Sequence, residues 1–164
     1  MRKFFAVQVL LYLSIFLIST GSYAQETLRT TDEQLQKGNI VLVVTAAPFQ
    51  DTYVLHFRVS GSGFPPQDVS ASQGRLLAAR AARVDAYRQL LIANKALTGE
   101  EIGRKIEGYV QQAEVKETSY ESDGKARVII EQPIYDGRKI GGRTLRTAEK
   151  KLTQSGIFWS KVLE

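Results

Sequence analysis

Residues 61–66 read Gly-Ser-Gly-Phe-Pro-Pro, and this stretch constrains the fold more than any other in the chain. Glycine accepts positive φ, and proline cannot continue a β-ladder, so a strand that enters here must end here. Ser70 or Ser72 is then placed to cap a helix that runs to about Ala96. That helix has two unlike sides. At 100° per residue, Leu76, Leu77, Val84, Tyr87, Leu90 and Leu91 form one broad apolar stripe. Ala78, Ala79, Ala82, Ala86 and Ala93 gather on another side, where no long side chain would hold off a second backbone. Arg75, Arg80, Arg83 and Arg88 are interleaved, and Asp85 has Arg88 three residues on as a candidate ion-pair partner.

Strands are expected on both sides of this helix. Ile40-Val41-Leu42-Val43-Val44 is a β-branched run of the length and composition of a buried strand. Tyr53 to Ser60 alternates, with Tyr53, Leu55, Phe57 and Val59 on one face and His56 on the more polar one. Thr98 and Glu101 have capping-box spacing and predict a short second helix that ends at Gly108. Tyr109–Thr118 and Ala126–Ile134 then read as strands joined by a tight turn at Ser122-Asp123-Gly124-Lys125. Pro133 belongs at a sheet edge. The order ββααββ predicts an α+β domain of two layers: a mostly antiparallel four-stranded sheet on one long and one short helix.

Four segments follow. Residues 1–24 have the layout of a secretory signal peptide: basic Arg2 and Lys3, an apolar run from Phe4 to Ile18, and Ser22-Tyr23-Ala24 as a small-x-small site, with cleavage between Ala24 and Gln25. The run is shorter than the ~20 residues of a membrane-spanning helix. Residues 25–38 are polar and charged and read as a flexible leader. Residues 39–137 are the α+β domain. Residues 138–164 form a basic C-terminal extension with seven Lys or Arg against two Glu. There Gly141-Gly142 reads as a hinge, Arg143–Gln154 as a polar helix, and Ile157, Phe158, Trp159, Val162 and Leu163 as an apolar cluster. That cluster is placed to dock on the chain's own sheet or on a partner, and Phe158, Trp159, Val162 and Leu163 are the candidate interface.

The chemistry-bearing residues are few. There is no cysteine, which excludes disulfides and an acylated cysteine, and His56 is the single histidine, too few for a Cys/His zinc site within one chain. No nucleophile elbow surrounds a serine, Gly61-Ser62-Gly63 lacks the third glycine of a dinucleotide fingerprint, and no phosphate-binding loop is present. Glu100, Glu101 and Glu107 sit where carboxylates usually favour a helix N-terminus and face solvent. The expectation is a chain with no catalytic residue, no metal and no cofactor. A pI near 9.5 would raise nucleic acid as a partner. Export argues against that and directs the charge to anionic envelope components.

Three stretches carry a resemblance: Val59-Ser60-Gly61-Ser62-Gly63; Ala79 to Leu90, which reads Ala-Arg-x-Ala-x-x-Asp-Ala-x-Arg-x-Leu; and Ile106-Glu107-Gly108-Tyr109-Val110. In that order they resemble the LPP-20-type envelope lipoproteins, over roughly residues 53–135. The motif positions are Gly61, Gly63, Ala82, Asp85, Ala86, Arg88, Leu90 and Gly108. The signal-peptide layout implies secretion through the Sec route to the periplasm, and the resemblance implies a non-enzymatic envelope protein associated with the outer membrane. It also implies a structural or assembly role, self-association or other envelope proteins as partners, and in some relatives a place at the flagellar periphery. The chain departs from the family in lacking the lipid-bearing cysteine. The alternative expectation is a binding module for an anionic envelope ligand such as lipopolysaccharide, anionic lipid or peptidoglycan, reached through the basic tail.

Overall fold

The computed structural model describes residues 33–35, 40–47, 50–99 and 112–164. The expected cleavage site at Ala24 and Gln25, most of the leader, and the short helix with Glu101 and Gly108 lie outside the described residues. Strand β1 spans Ile40–Ala46 and β2 spans Thr52–Gly63. Helix α1, Ala71–Thr98, follows the Gly-Pro stretch. Then come β3 (Glu114–Tyr120), β4 (Ala126–Pro133), a 3₁₀ turn at Tyr135–Gly137 and β5 (Ile140–Gly141). Helix α2 is Gly142–Gln154 and the last strand, β6, is Trp159–Leu163.

The class is α+β, as expected, but the sheet is larger and mixed. Its order is β3-β4-β2-β1-β6, with β5 paired to β2. The pairs β1–β2, β2–β4, β3–β4 and β2–β5 are antiparallel, whereas β6 runs parallel to β1. The expectation of four strands fails at the C-terminal segment. Residues 138–164 supply β5, α2 and β6 to the same sheet and core, and Val162 is buried against it. Docking on the chain's own sheet was one of the two expectations for this cluster, but β6 is not legible as a strand, because it has only five residues, with Lys161 at its centre. It becomes a strand through pairing with β1, Ile40 opposite Trp159 and Val43 opposite Val162.

Both helices lie on one face of the sheet. Leu42, Val44, Leu55, Phe57, Val59, Val128 and Ile130 form a single core with the small side of α1 and with Leu145, Ala148 and Leu152 of α2. The side of α1 that packs inward is Gly74, Ala78, Ala82, Ala86, Leu90, Ala93 and Leu97. Leu90, which the sequence grouped with the large apolar residues, therefore belongs to the inner side. Ser70 is the N-cap, its hydroxyl accepting from the Gln73 amide at 3.4 Å. Gly99 closes the helix at φ 73°, donating its N–H to the Lys95 carbonyl at 2.8 Å. Thr98, expected to cap a second helix, is the last residue of α1, and its hydroxyl donates to the Asn94 carbonyl.

The opposite face of the sheet is partly covered. Val41 and Val43 of β1 point there and pack with Ile129, Val162 and Leu35. Leu35 is 1% exposed, and its carbonyl accepts a 2.6 Å hydrogen bond from the Ser60 hydroxyl. Residues 33–35 are helical. The leader expected to be flexible thus contributes at least one core residue, because β1 is apolar on both faces and its outer face needs a cover. The expected hairpin turn is present: Gly124 has φ 83°, and the Lys125 amide donates to the Asp123 carboxylate. At Pro133 β4 has run past β3, whose register stops at Glu114 opposite Glu131, and the next amide, Ile134, donates to the Leu55 carbonyl of β2. The missing N–H of Pro133 therefore points past the end of β3, away from the ladder.

Candidate interaction surfaces

Of the positions that carry the resemblance, Gly61 and Gly63 of β2 meet Ala82, Asp85 and Ala86 of α1 in one contact. A Cβ added at Gly61 would overlap the Ala82 carbonyl oxygen and the Ala86 amide nitrogen and lie 2.9 Å from the Ala86 Cα. One added at Gly63 would overlap the Ala78 carbonyl oxygen. Glycine on the strand and alanine on the helix bring two backbones together where any larger pair would keep them apart. Asp85 finishes the contact by accepting a hydrogen bond from the Ser62 amide at 3.1 Å. The sequence pointed to Arg88 as its partner, but no Asp85–Arg88 ion pair forms, and Arg88 is exposed. The register of β1 with β2 stops at Arg58, so this end of β2 has amides that β1 does not reach, and the helix supplies an acceptor instead. Gly61, Gly63, Ala82, Asp85, Ala86 and Leu90 are therefore packing residues. Buried Gln132, bonded by Asn94 of α1 at 3.0 Å, extends the same helix–sheet seam.

The candidate interface at the C-terminus divides. Val162 is buried, Trp159 is half-buried against the core, and Phe158 and Leu163 stand out at 84% and 62% exposed. Phe158 immediately precedes β6 and Leu163 is its last residue; β6 is an outer strand of the sheet that pairs on one side with β1. The other outer strand, β3, is built differently. It carries Glu114, Lys116 and Glu117 and an irregularity between Val115 and Glu117, features that discourage edge pairing. The terminus is fixed from behind: Arg58 of β2 bonds both Glu131 of β4 and Glu164, at 2.8 and 2.9 Å. Burial would lower the Arg58 pKa, but the bonds from Glu131 and Glu164 outweigh it and raise the value above the ordinary one.

The helical layer is basic. Arg75, Arg80, Arg83, Arg88 and Lys95 on α1 and Arg143, Arg146 and Lys150 on α2 are all exposed. Among the described residues none of them has an ion-pair partner. Of the acidic residues on these helices, Asp85 is held by Ser62 and Glu149 by Lys161. Between the C-terminal ends of α1 and α2 lies an open cleft of about 450 Å³, floored by Ile92, Ala96 and Ile157 and rimmed by Lys95 and Lys151. Lys151 is committed to the Leu97 carbonyl at 2.9 Å. Among the described residues no three His, Cys, Asp or Glu side chains are grouped to hold a metal ion. His56 is half-buried on the sheet face opposite the helices, opposite Val43 in the β1 register. Among the described residues no helix is long and apolar enough to cross a membrane.

No family profile, no curated protein and no solved structure matches the chain.

Proposed function

We propose that this chain is an exported, non-enzymatic protein of the bacterial periplasm with a structural or assembly role, and that it self-associates through its C-terminal strand. The observation that carries this reading is the outer edge of β6, where Phe158 and Leu163 are exposed beside a strand paired only with β1 among the described residues. An edge of backbone donors and acceptors flanked by apolar side chains is a template for another strand. Multi-angle light scattering over a concentration series tests it. The wild-type chain should form oligomers, and Phe158→Asp with Leu163→Asp should shift it to monomer without loss of helical circular dichroism. A monomer at every concentration overturns the reading. Export rests on the signal-peptide layout of residues 1–24, and a place at the flagellar periphery rests on the LPP-20-type resemblance alone.

A second reading, a binding module for an anionic envelope ligand, is favoured by the exposed cations of α1 and α2 that have no described ion-pair partner. Its site on this reading is the helical layer rather than the tail alone, since Arg75, Arg80, Arg83 and Arg88 add to Arg143, Arg146 and Lys150.

A further inference from the structure

Up to Ala86 the long helix buries only glycine and alanine and leaves larger apolar residues outside: Leu76 is 52% exposed and Val84 68%. Leu76, Arg80, Val84 and Arg88 follow one another at four-residue steps and all four are exposed. On an α-helix such residues form one ridge, each a turn beyond the last. The ridge therefore alternates apolar, cationic, apolar, cationic over about 18 Å, with exposed Arg83 beside Val84.

We propose that this ridge docks α1 on an anionic phospholipid bilayer, the arginines meeting headgroup phosphates and Leu76 and Val84 entering the acyl boundary. The inference rests on the anionic-ligand reading and names both the ligand and the residues. Charge selects the occupant. A second copy docked ridge to ridge would bring the arginines together without counter-ions, because Asp85 is the one carboxylate of α1 and Ser62 holds it. The acidic strand β3 of another copy would offer Glu114 and Glu117 but little apolar surface for Leu76 and Val84. A bilayer interface supplies anions and, ~5–10 Å beneath them, a layer that receives the apolar side chains.

The chain has no cysteine, so Leu76→Cys or Val84→Cys accepts a single environment-sensitive fluorophore, with Glu117→Cys on β3 as control. Vesicles of phosphatidylglycerol and phosphatidylcholine should brighten and blue-shift the labels at 76 and 84 and leave the one at 117 unchanged. Vesicles of phosphatidylcholine alone should change none of them. Arg80→Gln or Arg83→Gln in the Val84→Cys background should each weaken binding about fivefold, the loss of one surface cation. Salt should weaken it further. The label reports on α1 itself, so attachment through residues 4–18 would leave it silent. If vesicles containing phosphatidylglycerol sediment the chain, vesicles of phosphatidylcholine alone do not, and both α1 labels stay silent, this ridge is wrong and the anionic-ligand reading stands. If neither sedimentation nor a label responds to vesicles or to lipopolysaccharide, both fall. A response to lipopolysaccharide alone overturns the bilayer. Labels already blue-shifted without vesicles, or shifting with protein concentration, overturn it in favour of the chain itself or a second copy.

Discussion

At the scale of single residues, Asp85 and Arg88 make the sharpest contrast. Both stand in the motif, three residues apart, and helix geometry alone would pair them. The tertiary contact separates them: Asp85 turns to the Ser62 amide, and Arg88 faces outward. Removing the acceptor of the Ser62 amide costs about 1 kcal/mol, whereas truncating an exposed arginine costs within ~0.5 kcal/mol. Asp85→Ala should therefore lower the urea midpoint clearly and Arg88→Ala should barely move it. Equal losses would mean that the two act as an ion pair after all. The glycines of the same contact act through shape. Gly61 and Gly63 are not at positive φ; they are needed because the backbone of α1 occupies the space a Cβ would take.

At the scale of elements, the notable case is the segment around Leu35. A polar leader with two leucines looks dispensable in sequence, yet Leu35 closes the cluster over Val41 and Val43. Leu→Ala at a fully buried site costs roughly 2–5 kcal/mol. Leu35→Ala should therefore destabilise the fold by an amount in that range in chemical denaturation. A leader that merely tethers the domain would show no change. The strand β6 gives the converse lesson. Its short stretch has little strand character of its own, and its place comes from the β1 edge that it covers.

At the scale of the whole molecule, Arg58 ties three parts of the chain: β2, β4 through Glu131, and the terminal Glu164. Its raised pKa means that the folded state holds the proton more tightly than the unfolded one. That contribution is fully present below the ordinary arginine value and is lost only as the pH climbs through the raised one. Wild type and Arg58→Met should therefore differ by about 2 kcal/mol, and by the same amount at neutral pH and in mild alkali. A difference that fades between those two conditions would show that another group, not Arg58, carries it. The molecule is also polarised, with its helical layer basic and the β3–β4 hairpin bearing exposed Glu114, Glu117, Glu121 and Asp123. The proposed lipid contact uses the first of these surfaces, and the proposed self-association uses the apolar edge between neither.

Several features were determined by the sequence itself, because each is set by neighbours a few residues away. The Gly-Pro break ends β2, Ser70 caps α1, Asp123-Gly124 turns the hairpin, and the β-branched run makes β1. The alanine side of α1 was legible as a surface for close backbone approach. Its direction was not, since periodicity distinguishes two sides of a helix without saying which one meets the sheet. That was decided by Gly61 and Gly63, which leave room for alanine and put Leu76 and Val84 outside. The parallel pairing of β6 with β1, the burial of Leu35 and the separation of Asp85 from Arg88 were likewise decided only by tertiary structure. Each depends on a partner distant in sequence, and no local pattern records the position of that partner.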